Sequence, residues 1–315
     1  MHKIAQALEG LESFFTPYYC DAPLAWFSSA NALEFTILGK RNRDRCLEYL
    51  KRHLLRVDER GASRHYDLVV TCADLVIPKN IRGTPIVLVQ EGMTDPEGFW
   101  FHAVKKVHFL PRWLASTAAM GLSNRYEKFC VASDGYRDLF LRKGVPLSKL
   151  VVTGIPNFDE CARYLNNTFP YHHYVLVCTS DSRETFRWEN RKETIRKALK
   201  IAQGRKLIFK LHPNETVEKR IAEIRRYAPE AIVFTSGNTE EMIANCDVLM
   251  TEYSSTAYVG LALGKEVHSK FRSEELKRLM PLQHGRAAGN IALVCERILG
   301  SSRKLSPDLS KVEAA

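Results

Sequence analysis

Two short stretches hold the side chains best suited to handling an anion: Lys210-Leu211-His212-Pro213-Asn214-Glu215 and Asp247-Val248-Leu249-Met250-Thr251-Glu252-Tyr253-Ser254-Ser255-Thr256. An imidazole changes charge near neutral pH, so His212 could donate to a phosphate oxygen and offset charge on a leaving group. Pro213 follows it and stops the preceding strand, because proline brings no ladder N–H. Ser254, Ser255 and Thr256 place three hydroxyls where an apolar run gives way to a helical pattern. One hydroxyl is enough to cap a helix. The run exceeds that need and points to phosphate oxygens held where free N–H groups and the positive end of a helix dipole converge. Glu252 is a candidate acceptor for ribose hydroxyls. Together these residues predict a nucleotide mono- or diphosphate site, with His212 as its catalytic group.

Other strand ends supply further candidates. Thr179, Ser180 and Arg183 follow an apolar strand pattern, so two hydroxyls and a guanidinium could also reach phosphates. Thr235 ends the pattern Ala231-Ile232-Val233-Phe234. Glu91 stands in a glycine turn after Pro85-Ile86-Val87-Leu88-Val89-Gln90 and is a candidate general base toward an acceptor hydroxyl. Asp95 and Glu97 are lesser acids in the same loop.

These residues need a parallel sheet behind them. From residue 173 onward, apolar runs at 173–179, 206–211, 231–235, 247–251 and 265–268 alternate with helical patterns at 183–202, 215–227, 239–245 and 255–263. Short strands alternating with helices predict a parallel sheet with right-handed crossovers, a Rossmann-like domain. The first half follows the same grammar less regularly. Strands are expected at 24–28, 67–71, 85–90 and 128–132, and helices at 2–13, 41–54 and 134–143. Gly154 and Pro156 then close a short strand as a linker does. The expected organisation is an α/β domain over 1–150, a nucleotide-binding domain over 151–300, and a loosely ordered tail over 301–315.

Bulk composition narrows the partners. The chain has 315 residues, 45% hydrophobic and 26% charged, the balance of a globular protein with room for two domains. No run approaches the roughly 18–20 apolar residues of a membrane span. The opening residues lack the long apolar centre of a secretory signal. Eight cysteines are scattered without a C-x-x-C pair, which predicts buried reduced thiols in a cytoplasmic protein. The net charge of +10 suits an anionic nucleotide, an anionic membrane surface or nucleic acid. The basic residues are dispersed and no nucleic-acid motif appears, so nucleic acid is not expected as a partner. Residues 99–114 mix aromatics with Lys105, Lys106 and Arg112, a composition suited to peripheral contact with an anionic membrane.

Thr153-Gly154-Ile155-Pro156-Asn157-Phe158-Asp159, Lys210-Leu211-His212-Pro213 and Asp247 through Ser255 also resemble, in order and spacing, the TG-x-P-x-x-D, K-x-HP and D-v-L-i-T-D-Y-S-S elements of the bacterial CDP-glycerol glycerophosphotransferase superfamily. Related elements occur in capsule glycosyltransferases that use CMP-sugars, and a weaker resemblance runs to UDP-N-acetylglucosamine 2-epimerase. The resemblance implies a GT-B-like α/β fold, two Rossmann-like parallel-sheet domains facing across a cleft. It implies a transferase that moves a glycosyl or polyol-phosphate group from a CMP-, CDP- or UDP-linked donor. The acceptor would be a cell-surface polysaccharide or its lipid-linked precursor, at the inner face of the membrane. It assigns Ser254 and Ser255 to the donor phosphates, adds Gly154 to the site, and implies neither cofactor nor metal. The alternatives are a UDP-sugar 2-epimerase-like isomerase and a non-catalytic nucleotide-binding protein of polysaccharide assembly. The chain departs from the family in three ways. Glu252 replaces an aspartate, Glu91 stands in a turn where related enzymes often carry histidine, and the chain opens on a helix pattern rather than a strand.

Overall fold

A computed structural model describes residues 1–30, 33, 36, 38–107, 109–180 and 189–305. The chain divides into two compact units, Met1–Pro156 with Gly285–Ala315, and Asn157–His284. In the first, α1 (His2–Ala7), α2 (Leu24–Ser29) and α3 (Lys40–Arg52) precede β1 (Val69–Thr71) and β2 (Ile86–Val89). Then come α4 (Phe99–Lys106), β3 (Lys128–Val131), α5 (Asp134–Lys143) and β4 (Leu150–Val152). The four strands pair in parallel in the order β1-β2-β3-β4. β2 is buried along its whole length, as an apolar run covered on both faces must be. α5 starts where the Ser133 hydroxyl accepts from the Tyr136 N–H at 3.3 Å, and it stops at Gly144, left-handed at φ +106.

Two expectations fail here. Residues 24–28 form helix α2 and not a strand. A short apolar run has no period that separates the two, and Pro23 at its start is tolerated at a helix entry. The helix expected over 2–13 ends at Ala7. Gly10 turns at φ +72, and Phe15 then bridges to Val57.

The second unit runs β5 (Tyr174–Cys178), α6 (Arg191–Ala202), β6 (Lys206–Lys210), α7 (Val217–Tyr227) and β7 (Ile232–Phe234). It continues with α8 (Thr239–Asn245), β8 (Val248–Met250), α9 (Thr256–Ala262), β9 (Glu266–His268) and α10 (Ser273–Leu279). Of the helix expected over 183–202, residues 183–188 lie outside the described residues. The sheet is parallel throughout, in the order β7-β6-β5-β8-β9. Strand period two sorts the core into two layers. Val175, Val177, Phe209, Val248 and Met250 meet Ile195 and Ala198 of α6 and Ile224 of α7. Leu176, Ile208 and Leu249 meet Met242 and Ile243 of α8 and Val259 of α9. At Gly260 an added Cβ would come within 2.8 Å of both Leu249 Cδ2 and Val267 Cγ2, so α9 lies close against β8 and β9.

The chain then rejoins the first unit as α11 (Ala287–Leu305), where Ile291, Val294 and Cys295 pack on Ile4, Val87, Val89 and Cys130. Of the tail expected after residue 300, residues 301–305 extend α11 and residues 306–315 lie outside the described residues. All eight cysteines are free thiols. Burial pushes Cys161 and Cys72 up to about 11, which leaves them protonated and unreactive at neutral pH.

Candidate functional site

The strand order of the second unit locates a site before any residue is considered. From β5 the chain moves outward through β6 to β7, then crosses to the other side of β5 to lay down β8 and β9. Between β5 and β8 the connecting helices leave to opposite faces, and ligands of open α/β sheets bind outside the carboxyl ends at such a switch point. A hollow of about 210 Å³ opens there. Its wall is built from Val177 to Ser180 at the end of β5, Met250 to Glu252 at the end of β8, and His268 to Lys270 after β9. Glu189, Arg191, Glu193 and Lys197 at the start of α6 complete it. Its charges balance, with Glu189, Glu193 and Glu252 against Arg191, Lys197 and Lys270.

Beneath the hollow lies a buried ion network. Arg191, 1% exposed, forks onto the Glu189 carboxylate and donates from Nη2 to Glu215 Oε1 at 2.7 Å and to the Ser180 carbonyl at 3.4 Å. Burial opposes its charge, but the two carboxylates more than offset that and raise the guanidinium pKa. Glu215 also accepts from the His212 N–H at 2.8 Å and from the Thr179 hydroxyl. The same Thr179 oxygen accepts from the His212 N–H at 3.0 Å. One buried carboxylate thus ties the loop after β5 to the loop after β6. These contacts fix where Thr179 and His212 stand. Arg191 Nη1 is buried and has no hydrogen-bond partner among the described residues.

Each expected residue can now be placed. Thr179, Ser180 and Glu252 line the hollow. Glu252 pairs with Lys270 at 3.0 Å, and its carbonyl accepts from the Ser269 hydroxyl at 2.7 Å. His212 is half-buried and joined to the hollow's wall through Thr179. Its Nδ1 accepts from the Asn214 N–H at 3.3 Å, which puts the proton of a neutral ring on Nε2. Ser254, Ser255 and Thr256 stand at the end of β8, two strands from His212 with β5 between. That is about 10 Å at the usual strand spacing. The Ser254 oxygen accepts from the Thr256 N–H at 3.3 Å and the Thr256 hydroxyl at 2.9 Å. Two hydroxyls of the run are therefore engaged with each other at the helix entry. Thr235 is exposed at the end of β7, on the outer edge of the sheet. Arg183 lies outside the described residues.

Two candidates belong to the first unit. Gly154 turns at φ +75 after β4, a left-handed position that glycine adopts freely. Glu91 is exposed just beyond β2. Buried Gln90 braces its turn by donating to the Gly92 carbonyl at 2.8 Å and accepting from the Ala132 N–H at 2.9 Å. Asp95 is engaged with the Thr117 hydroxyl at 2.8 Å. Among the described residues no group of three His, Cys, Asp or Glu side chains is disposed to hold a metal ion, and no helix is long and apolar enough to cross a membrane.

Sequence reading missed Glu189, Arg191, Glu215 as a linking residue, and Lys270. Arg191 and Glu189 flank Asn190, whose side chain accepts from the Glu193 N–H at 3.2 Å. That cap was the available signal of a helix start near the sheet's carboxyl edge. Nothing in the sequence marked the neighbouring charges as buried.

No family model matches the chain, and no curated protein matches it. Solved structures do match. The UDP-GlcNAc 2-epimerase of Methanocaldococcus jannaschii superposes with a TM-score of 0.51 at 12% identity, over 94% of this chain and 95% of that one. The same protein in complex with UDP-GlcNAc and UDP gives 0.51 at 13% identity, over 80% and 79%. The wall teichoic acid polymerase TagF, soaked with CDPG, gives 0.49 at 10% identity, over 79% and 78%. With its two parallel-sheet α/β units, the chain has a GT-B-like fold.

Proposed function

We propose that this chain is a GT-B-type transferase that moves a glycosyl or polyol-phosphate group from a CMP-, CDP- or UDP-linked donor to a cell-surface polysaccharide or its precursor. The observation that carries the reading is the hollow at the switch point between β5 and β8, with Thr179, Ser180 and Glu252 on its wall. The fold is shared with a protein solved with UDP-GlcNAc and UDP, which supports a nucleotide-linked ligand for a hollow so placed. In this reading the second unit is the donor domain and the first the acceptor domain. Ser180 and the Ser254-Ser255 segment donate to phosphate oxygens, Thr179 positions them by tying the loop after β5 to Glu215, and Glu252 accepts from the ribose. Lys197 attracts the anion, since Arg191 and Lys270 are already held by carboxylates.

The chemistry follows from charge. An acceptor hydroxyl, losing its proton to Glu91, forms a new bond to the transferred group as the bond to the nucleotide phosphate breaks. Charge builds on the departing phosphate oxygen, where the Nε2 proton of His212 offsets it. Losing one such fixed donor costs about 10²–10³ in kcat. The test is nucleotide release from UDP-GlcNAc, a CMP-sugar and CDP-glycerol, with polysaccharide acceptor, by wild type and His212→Ala. Acceptor-dependent release that falls at least 100-fold in the variant is expected. Full turnover by His212→Ala would contradict the assignment. Two solved structures at TM-score 0.51 are epimerases, so the donor is also incubated alone. Inversion at the sugar without acceptor would decide for the isomerase.

A further inference from the structure

A second hollow, of about 390 Å³, opens in the first unit. That size falls within the roughly 300–1,000 Å³ of small-molecule sites, and no step of the transfer chemistry above uses it. Its wall is made by Tyr18 and Tyr19, by Ser28 of α2, by Lys40 and Arg43 in the first turn of α3, and by Arg60. This wall is pinned from behind. The Tyr18 hydroxyl donates to the Val76 carbonyl at 2.6 Å and accepts from the Val76 N–H at 3.1 Å. The Tyr19 hydroxyl donates to Asn80 Oδ1 at 2.9 Å, and Asn80 Nδ2 donates in turn to the Arg60 carbonyl at 2.8 Å. The Arg60 N–H donates to Thr16 Oγ1 at 2.9 Å. Side chains fixed before a ligand arrives lose little freedom when it binds.

Arg60 is the informative residue. Its backbone is left-handed at φ +61, a region that disfavours any residue with a side chain. Conformations of this kind gather at ligand clamps and switches. Arg43 is taken up by Glu59, and Lys40 by Asp44. The Arg60 guanidinium is engaged in no ion pair or hydrogen bond among the described residues. A planar fork of N–H donors, held in strained backbone and left open, matches a phosphate or a carboxylate. The Ser28 hydroxyl donates to the Leu38 carbonyl at 2.6 Å. Toward the hollow it can therefore only accept, from a ligand that brings a hydroxyl of its own. With their own hydroxyls bonded to Val76 and Asn80, Tyr18 and Tyr19 offer the apolar bodies of their rings.

We propose that this hollow binds a small anionic sugar, with its phosphate or carboxylate on Arg60, a ring hydroxyl on Ser28, and the body of the sugar against Tyr18 and Tyr19. The site lies in the first unit and stands independently of the donor hollow in the second. A free metabolite and the end of a polysaccharide chain share this chemistry.

The test is calorimetric titration of the full chain with glucose 6-phosphate and with glucuronate, using glucose and inorganic phosphate as controls. At least one of the anionic sugars is expected to bind, and both controls at least tenfold more weakly. Arg60→Gln removes a charge-assisted contact and should lower affinity by about 10–100-fold. Arg60→Gly should lose binding as well yet melt no lower than wild type, because glycine adopts φ +61 freely. Hydrogen exchange with the bound sugar should slow in peptides over 18–28 and 38–47. An oligosaccharide ending in the sugar that binds separates the two sources: affinity equal to that of the free sugar assigns a chain end, and exclusion of the longer ligand assigns a free metabolite. Binding of neither anionic sugar, wild-type affinity in Arg60→Gln, or slowed exchange confined to the second unit overturns the proposal.

Discussion

Glu215→Gln removes one charge from the network under the hollow and almost no volume. The Glu215 side chain is fully buried and receives the His212 N–H at 2.8 Å, Arg191 Nη2 at 2.7 Å and the Thr179 hydroxyl. An amide can accept on its oxygen alone, so its NH₂ must face one of these donors. Breaking a buried ion pair costs about 3–5 kcal/mol, because the remaining charge loses its partner. Glu189 still grips Arg191, so the lower end applies, about 3 kcal/mol. For a unit of this size that corresponds to a midpoint lower by roughly 10 °C. Hydrogen exchange followed by mass spectrometry reads it locally. Peptides covering β5 and β6 should exchange faster, while those covering β2 and β3 keep their wild-type rates. The triple substitution Glu189→Gln, Arg191→Met and Glu215→Gln, which removes the three charges of this network together, should recover much of the loss. Wild-type exchange in β5 and β6 of Glu215→Gln, or a triple variant no better than the single one, would refute the reasoning.

Burial pulls the Lys143 amine down to about 8 from its ordinary 10.5. Between those values the unfolded chain holds a proton that the folded one has released, so this group adds stability as pH rises, by roughly 3 kcal/mol in all. Urea unfolding of wild type and Lys143→Met at pH 7 and pH 11 should show the difference moving toward wild type by that amount, and parallel profiles would contradict it. Thr179→Val keeps the shape of the hollow's wall and removes a hydroxyl that both donates to Glu215 and accepts from the His212 N–H. Calorimetric titration with UDP and CDP should show affinity lower by up to about tenfold, because the loop after β5 loses a tie worth roughly one good hydrogen bond. Unchanged affinity would separate Thr179 from the ligand.

The second unit was legible because each of its strands is an apolar run bounded by turn residues, and its helices carry a helical period. Strand order was not legible. Alternation implies parallel neighbours but does not say on which side of β5 the chain will next lie down. That is settled by pairings such as Leu176 with Leu249, remote in sequence, and with it the place of the hollow. The short apolar run at 24–28 was misread for want of a period. His212, Thr179, Ser180 and Glu252 were found as strand-end residues. Arg191 and Glu215 read as ordinary charges near helix starts, since burial of an ion pair depends on loops that meet only in the folded chain.

The central claim is that an activated nucleotide rests at the carboxyl edge of the five-stranded sheet. Hydrogen exchange of the full chain with and without saturating UDP or CDP tests it directly. Slowed exchange confined to residues 177–180, 210–215 and 250–256 is the expected result. Protection by neither nucleotide, or protection only in the first unit, would contradict it.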